Sequence, residues 1–124
     1  MEHEDLTRKI IAAAYEVHNE MGPGFLESVY ERCMVIALEQ MGLQVQAQQA
    51  IAVDFREQPV GQYLADLLVE DTVIVELKSI RELAAAHEVQ LVHYLTVTQR
   101  PVGLLLNFGN KSLQIKRKVL KLPA

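Results

Sequence analysis

Apolar positions in the first third of the chain repeat with the period of a helix. One stripe predicts a helix over 6–21, which the Gly22-Pro23-Gly24 break ends. A second stripe predicts a helix over 25–41, which Gly42 terminates. The chain is therefore expected to begin with two amphipathic helices. The members of the first stripe are Leu6, Ile10, Ala13, Val17 and Met21.

Beyond residue 42 the pattern changes to the alternation that is typical of strands. It predicts three strands, although the first loses its phase at Gln48 and Gln49. The third contains the apolar run VIV, which indicates a central strand that is covered on both faces. A turn at Glu70–Asp71 separates the second strand from the third. The three predicted strands cover 43–55, 60–69 and 72–79.

The rest of the pattern completes an α/β (α+β) fold. A helix is predicted from 80–83 to Thr98, followed by a buried strand over 102–108 and an edge strand over 112–120. Because a helix lies between the third and fourth strands, a parallel crossover within a mixed sheet is expected. We therefore predict one domain over residues 1–124, with a mixed central sheet of about five strands flanked by three helices.

Charge is distributed unevenly along the chain. The formal net charge is −4, yet residues 1–88 carry all 16 acidic residues, and residues 89–124 carry six of the 12 basic ones and no acid. The last strand, with Lys116, Arg117 and Lys118, is a candidate surface for a nucleic-acid backbone. Two alternatives stay open: these residues pair with acidic helices, or they protect an edge strand from unwanted pairing.

The composition favours a soluble cytoplasmic protein. No apolar run approaches the ~20 residues that a membrane span needs, and the polar start MEHEDLTRK is unlike a signal peptide. The single cysteine, Cys33, excludes an internal disulfide, which fits a reducing compartment. It lies in an apolar helical stretch, where a buried and inert thiol is expected.

Three charged residues interrupt the apolar strands over 62–79 and form the candidate site. Asp66 lies in the second strand, and Glu76 and Lys78 share one face of the third. Charges in such surroundings are costly unless they are paired or bound to a ligand. From spacing alone, a salt bridge between Lys78 and either acid is the simpler interpretation.

The same three residues also have the parts for phosphodiester hydrolysis. Carboxylate oxygens suit Mg²⁺ or Mn²⁺, and the backbone carbonyl of Leu77 can add a ligand. A lysine beside the metal can orient or deprotonate an attacking water, or stabilise charge on a phosphoryl oxygen. Glu27, in the first turn of the second helix, can supply a further metal ligand. An acid at that position also stabilises the helix dipole without any further role.

Helical spacing adds neighbours to these acids. Tyr30 and Glu31 can point the same way as Glu27, and Gln90 and Tyr94 share a face of the third helix. Tyr30, Gln90 and Tyr94 are therefore candidates for supporting the site from the two flanking helices.

Other chemistries lack their sequence patterns. The four histidines have no zinc-ligand spacing, no glycine-rich phosphate loop follows a strand, and no serine nucleophile elbow is present. His18, near the end of the first helix, can face the candidate site, although a capping or core role accounts for it equally well.

Several segments match a known family in chain order. GFLESVY carries Gly24, Glu27 and Tyr30 in the spacing G-x-x-E-x-x-Y, and YLADLLVED, VIVELKS, Gln90-x-x-x-Tyr94 and LLLNFG follow. Together they cover nearly the whole chain and resemble the GxxExxY family, a compact branch of the PD-(D/E)xK nuclease superfamily. The resemblance implies a restriction-endonuclease-like core and a nuclease that uses Mg²⁺ or Mn²⁺.

The resemblance also implies roles for individual residues. Asp66 would be the metal-binding aspartate, Glu76 the second metal ligand, Lys78 the catalytic lysine and Glu27 the acid on the preceding helix. Gln90 and Tyr94 would help to hold the site or the nucleic acid. Asp66 follows Ala65, where many members of the superfamily have proline.

Two functions stay open at this stage. One is a Mg²⁺-dependent nuclease that acts on DNA or RNA, and the other is a non-catalytic nucleic-acid-binding or assembly module on the same fold. The acidic net charge and small size motivate the second. A homodimer is also considered, with residues 102–106 or the last strand at its interface.

Overall fold

The computed structural model describes residues 3–121, which form three helices around one five-stranded sheet. The helices are α1 (Glu4–Met21), α2 (Glu27–Gln40) and α3 (Ala85–Thr98), and the strands are β1 (Val45–Phe55), β2 (Gln58–Val69), β3 (Val73–Lys78), β4 (Val102–Asn107) and β5 (Gln114–Val119). None of these helices combines the length and the apolarity that a membrane span requires.

The sheet is mixed, and its strand order follows the order of the chain, β1-β2-β3-β4-β5. β3 and β4 run parallel, and the other neighbouring pairs are antiparallel. α3 forms the crossover between the parallel strands, as such a connection requires. The predicted α+β fold is confirmed, and the basic strand β5 lies at one edge of the sheet.

Helices cover both faces of the sheet and divide the core into two clusters. α1 and α2 cover the face that Val73, Val75 and Leu77 present, and this cluster is the larger. α3 covers the opposite face, where Leu91 and Leu95 pack with Ile74. Because β3 is buried on both faces, its apolar run is continuous, as the sequence predicts.

The burial of β4 corrects the expected dimer interface. Residues 102–106 are all buried, because β3 and β5 lie beside them and helices cover both faces of the strand. The expectation that this segment contributes to an interface is therefore wrong. The other candidate, the last strand, lies at the sheet edge.

The third helix begins later than predicted, at Ala85 rather than within 80–83. Buried Asn107 holds Ile80 by accepting its N–H at 3.0 Å and by donating to its carbonyl at 2.9 Å. Gln114 accepts the N–H of Leu83 at 3.2 Å. Since these backbone groups are already bonded to the last two strands, the segment stays irregular.

The loop between α1 and α2 is fixed against the end of β3. The Tyr30 hydroxyl donates to the carbonyl of Gly22 and accepts the N–H of Phe25 at 3.2 Å. The hydroxyl of Ser79, directly after β3, donates to the carbonyl of Phe25. These contacts hold the first turn of α2, which carries Glu27, beside the end of β3.

The β1–β2 hairpin changes the face of its side chains midway along its length. In β1, Val45 packs with the α1–α2 cluster and Ile51 with the α3 cluster, although Ile51 lies six positions after Val45, where regular alternation would put both on one face. In β2, Ala65 packs with the α3 cluster and Leu67 with the α1–α2 cluster. Each strand therefore contains a break in its alternation.

The break in β1 falls at Gln48, where the sequence pattern also loses its phase. The φ angle of Gln48 is 52°, in the left-handed region. The register pairs Ala47 with Leu67 and Gln49 with Ala65, so Gln48 stands opposite Asp66. The side chains therefore change face at Gln48 in β1 and at Asp66 in β2.

Candidate active site

Asp66 and Glu76 come together where β2 and β3 separate. The backbone pairing of these strands runs from Val69–Val73 to Leu67–Val75, and the next facing positions are Asp66 and Glu76. Beyond that point, a carboxylate oxygen of Asp66 accepts the N–H of Leu77 at 2.7 Å. A side chain thus replaces the backbone ladder and fixes the Asp66 carboxylate beside β3.

Glu76 is deeply buried, with 7% of its surface exposed. The Tyr63 hydroxyl donates a hydrogen bond to its carboxylate. Burial raises the pKa of Glu76 to about 7, and the negative charge of Glu27 adds to the rise, although the backbone N–H of Asp66 and the charge of Lys78 oppose it. The burial of this carboxyl group therefore favours its neutral form, and a positive charge beside it favours its charged form.

Asp66 has a similar but milder environment. Burial raises the pKa of Asp66, while the N–H of Leu77, the charge of Lys78 and the amide of Gln48 each favour its charged form. Its carboxylate is half-buried. Asp66 and Glu76 are therefore two partly desolvated acids at adjacent positions of neighbouring strands.

Lys78 supplies positive charge to both acids. It follows Glu76 by two residues on the same face of β3 and lies half-buried. Its charge lowers the pKa of both Asp66 and Glu76. Among the described residues, Lys78 forms no direct ion pair with either acid. The salt bridge that spacing alone suggests is thus not formed.

α2 brings two further acids to the site. Glu27 is exposed in the first turn, and its charge acts on both Glu31 and Glu76. Burial raises the pKa of Glu31, and the charges of Asp66 and Glu27 raise it further. The Gln48 amide donates to the Glu31 carboxylate at 2.8 Å. Four carboxylates therefore act on one another at this point of the molecule.

α3 reaches the site from the other side of the sheet. The ring of Tyr94 stacks on the ring of Tyr63, with centroids 3.3 Å apart. Burial and the charges of Glu76 and Asp66 raise the pKa of Tyr94, and a hydrogen bond with Gln90 opposes the rise. Of the predicted pair Gln90 and Tyr94, Tyr94 contacts Tyr63, and Tyr63 in turn bonds to Glu76.

Two of the predicted supporting residues lie inside the core. Tyr30 is fully buried, and its ring stacks on Phe108 with centroids 4.6 Å apart, so it points away from Glu27. His18 is also buried, and its Nε2 bonds to the carbonyl of Asn110 at 2.9 Å. The structure does not bring these two side chains to the acids, although Tyr30 shapes the loop that leads to Glu27.

The three basic residues of β5 do not form one surface. Alternation along the strand separates Arg117 from Lys116 and Lys118. Arg117 lies beside α1, and Lys118 pairs with Glu88 of α3 at 2.8 Å. Pairing with a helix therefore accounts for Lys118, and a role of this strand in binding a nucleic-acid backbone stays a prediction.

Sequence reasoning missed two residues that contact the acids, Gln48 and Tyr63. Gln48 had a signal, since the alternation of β1 breaks there. Tyr63 had none, because its contact with Glu76 depends on the change of face in β2. Helical spacing places Glu31 beside Glu27, but it does not reveal the bond between Glu31 and Gln48.

The donor set of the site fits a divalent metal ion. Mg²⁺ usually takes one or two protein carboxylates and completes its shell with water and phosphate oxygens. Asp66 and Glu76 offer such a pair, and their raised pKa values indicate that a cation would relieve their desolvation. Within residues 3–121, no three acid, histidine or cysteine side chains are grouped closely enough to hold a metal by themselves.

Comparison with known proteins agrees with the fold. Searches of curated proteins and of solved structures give no match. A family model described as the PD-(D/E)XK nuclease superfamily matches residues 4–118, which include every residue of the site. The sheet with its crossover helix is the architecture that this family implies. The chain therefore belongs to the PD-(D/E)XK nuclease superfamily.

Proposed function

We propose that this protein is a Mg²⁺- or Mn²⁺-dependent nuclease that hydrolyses the phosphodiester bonds of nucleic acid. The observation that carries the proposal is the pair Asp66 and Glu76 at the opening between β2 and β3, with Lys78 acting on both. Within the superfamily, we assign the chain to the GxxExxY branch because of Gly24, Glu27 and Tyr30.

Asp66 and Glu76 would hold the metal, with the backbone carbonyl of Leu77 as a further ligand. Leu77 is well placed because its N–H already fixes the carboxylate of Asp66. Glu27, whose charge acts on Glu76, would bind directly or through water. A bound Mg²⁺ or Mn²⁺ would supply Lewis acidity and lower the pKa of the attacking water.

Lys78 would act on the reacting groups themselves. The Lys78 side chain is half-buried and its charge acts on both carboxylates, where it is less screened than in water. From there it can orient the attacking water or stabilise the negative charge that develops on a phosphoryl oxygen. Gln90 and Tyr94 would keep the α3 side of the site in place through the ring of Tyr63.

The test measures cleavage of single- and double-stranded DNA and RNA with Mg²⁺, with Mn²⁺ and with EDTA. We expect cleavage that needs the metal and that falls by about 10²–10⁴-fold in Asp66→Ala and in Lys78→Ala. Two exposed residues give matched controls with normal activity: Asp54→Ala and Lys111→Ala.

The results separate the two functions that the sequence leaves open. Cleavage that survives both Asp66→Ala and Lys78→Ala would rule out this site. Metal-independent binding of nucleic acid without cleavage would support the non-catalytic module instead. Calorimetry with Mg²⁺ adds an independent measurement, in which Asp66→Ala is expected to abolish binding.

A further inference from the structure

We propose that Gln48 is a positioning residue for the Asp66 carboxylate and that Glu31 orients the Gln48 amide. The proposal rests on the proposed function, since it assigns Gln48 to the metal-binding side of that site. It adds a residue from the edge strand β1, outside the segments on which the family resemblance is based.

The contacts of Gln48 carry the proposal. Its Nε2 donates to the Glu31 carboxylate at 2.8 Å, and the amide also favours the charged form of Asp66, lowering the pKa of that carboxyl. The register places Gln48 directly opposite Asp66 in the β1–β2 pair. Gln48 thus links an acid on α2 to the acid on β2.

The chemistry of the amide suits this link. A glutamine NH₂ group has two N–H donors, so one side chain can serve two carboxylates. Asp66 and Glu31 repel each other, and the amide reduces the cost of holding them together without adding a charge. A lysine at this position would neutralise the acids and compete with a metal cation.

The backbone supports a functional reason for this residue. With a φ of 52°, Gln48 adopts a conformation that glycine and asparagine tolerate better than glutamine does. Residues in such conformations cluster at functional sites, where the surrounding structure compensates for their strain.

The decisive variant is Gln48→Gly, because it removes the amide and relaxes the backbone at once. We expect its midpoint of urea unfolding to equal or exceed that of the wild-type protein. Its dissociation constant for Mg²⁺, measured by calorimetry, should rise by about tenfold or more, as for other residues that orient a metal ligand. Gln48→Asn keeps the amide but shortens its reach, so the same weakening is expected.

Gln46→Gly is the matched control, since Gln46 is an exposed glutamine of the same strand that faces Leu68 instead of Asp66. It should bind Mg²⁺ like the wild-type protein. If Glu31 acts through Gln48, then Glu31→Ala should weaken binding less in the Gln48→Gly background than in the wild-type background.

The results distinguish this proposal from the proposed function. Wild-type protein that does not bind Mg²⁺, or Asp66→Ala protein that binds it normally, would refute the metal site itself. Wild-type affinity in Gln48→Gly, together with loss of binding in Asp66→Ala, would refute only the role of Gln48. Equal weakening of Mg²⁺ binding by Gln48→Gly and Gln46→Gly would also refute the role of Gln48, because the effect would then come from placing glycine in β1 and not from the loss of the Gln48 amide.

Discussion

The two sides of the sheet handle buried polar groups differently. On the α1–α2 side, the buried polar side chains bond to the main chain: His18 to the carbonyl of Asn110, and Tyr30 to the carbonyl of Gly22. On the α3 side, the Tyr63 hydroxyl instead bonds to another side chain, the carboxylate of Glu76. The first arrangement stabilises loops, whereas the second holds acids in place where water is excluded.

The buried polar groups on the two sides therefore differ in their effect on the stability of the fold. A satisfied hydroxyl or imidazole in the α1–α2 cluster costs little, because its partner is a fixed backbone group. A buried carboxylate such as Glu76 costs stability whenever it is ionised, because desolvation outweighs its partners. We therefore expect substitutions of the core residues that α1 and α2 bury to weaken the fold, and substitutions of Glu76 and its partners to weaken the site.

The largest effect is expected from Phe108→Ala. Phe108 is fully buried on the α1–α2 side, where its ring stacks on that of Tyr30 and lies 6.1 Å from that of His18. Truncation leaves a cavity, so the free energy of unfolding in urea should fall by about 3–5 kcal/mol. The molecules that stay folded should bind Mg²⁺ with wild-type affinity.

Phe55→Ala provides the comparison for Phe108→Ala, because Phe55 is 59% exposed at the end of β1. Its unfolding free energy should change by less than about 1 kcal/mol. The division between the two sides would be wrong if folded Phe108→Ala protein, kept below its unfolding transition, lost Mg²⁺ binding. Phe108→Leu, with a smaller cavity, tests the same point if the alanine variant does not fold.

The second prediction is that Glu76→Gln stabilises the metal-free protein above neutral pH. The pKa of Glu76 rises from 4.5 to about 7 on folding, so the folded state retains a proton that the unfolded chain has lost. Stability should therefore fall as the pH increases from about 4.5 to 7. The shift corresponds to on the order of 3 kcal/mol, which the glutamine variant recovers at pH 8.

Urea unfolding in EDTA between pH 4 and pH 9 measures this effect. Asp66 and Glu31 also have raised pKa values, so a smaller decrease with pH should persist in Glu76→Gln. Glu16→Gln, an exposed acid of α1, should keep the wild-type pH profile. If the Glu76→Gln variant were no more stable than the wild-type protein at pH 8, ionised Glu76 would not lower the free energy of unfolding and the prediction would be wrong.

The order and type of the elements could be predicted from the sequence, because apolar periodicity reflects burial directly. The start of the third helix is the exception, because it was predicted too early. The side chain of Asn107 bonds to both the N–H and the carbonyl of Ile80, which keeps this segment out of the helix. Gly109 packs against the same segment so closely that a Cβ at this position would lie 2.2 Å from the carbonyl oxygen of Ile80. The sequence pattern does not reveal this contact either. Contacts between distant segments leave no periodic signal.

Part of the site could be predicted for a similar reason. Asp66, Glu76 and Lys78 stand out because charges in apolar strands are rare, and helical spacing adds Gln90 and Tyr94. Spacing along one helix could not reveal that Tyr30 points into the core beside Glu27. The contacts of Gln48 and Tyr63 depend on the change of face in the β1–β2 hairpin. The sequence alone does not show on which side of the sheet these two side chains lie.

The smallest effect is expected from Tyr63→Phe, which keeps the stacked ring and removes the hydroxyl that bonds to Glu76. Loss of a donor to the charged carboxylate should raise the pKa of Glu76 further. Stability at pH 8 should fall by about 1–2 kcal/mol, while stability at pH 4 changes less. The midpoint of the decrease with pH should move upward.

Tyr15→Phe is the control for the lost hydroxyl, since Tyr15 is an exposed tyrosine of α1 on the other side of the sheet. It should change neither the stability nor its pH profile. If Tyr63→Phe also left the pH midpoint unchanged, the hydroxyl would contribute nothing to the charged state of Glu76. The stacked rings of Tyr63 and Tyr94 would then support the acid by packing alone, and the contrast between the two sides would rest on burial rather than on side-chain hydrogen bonds.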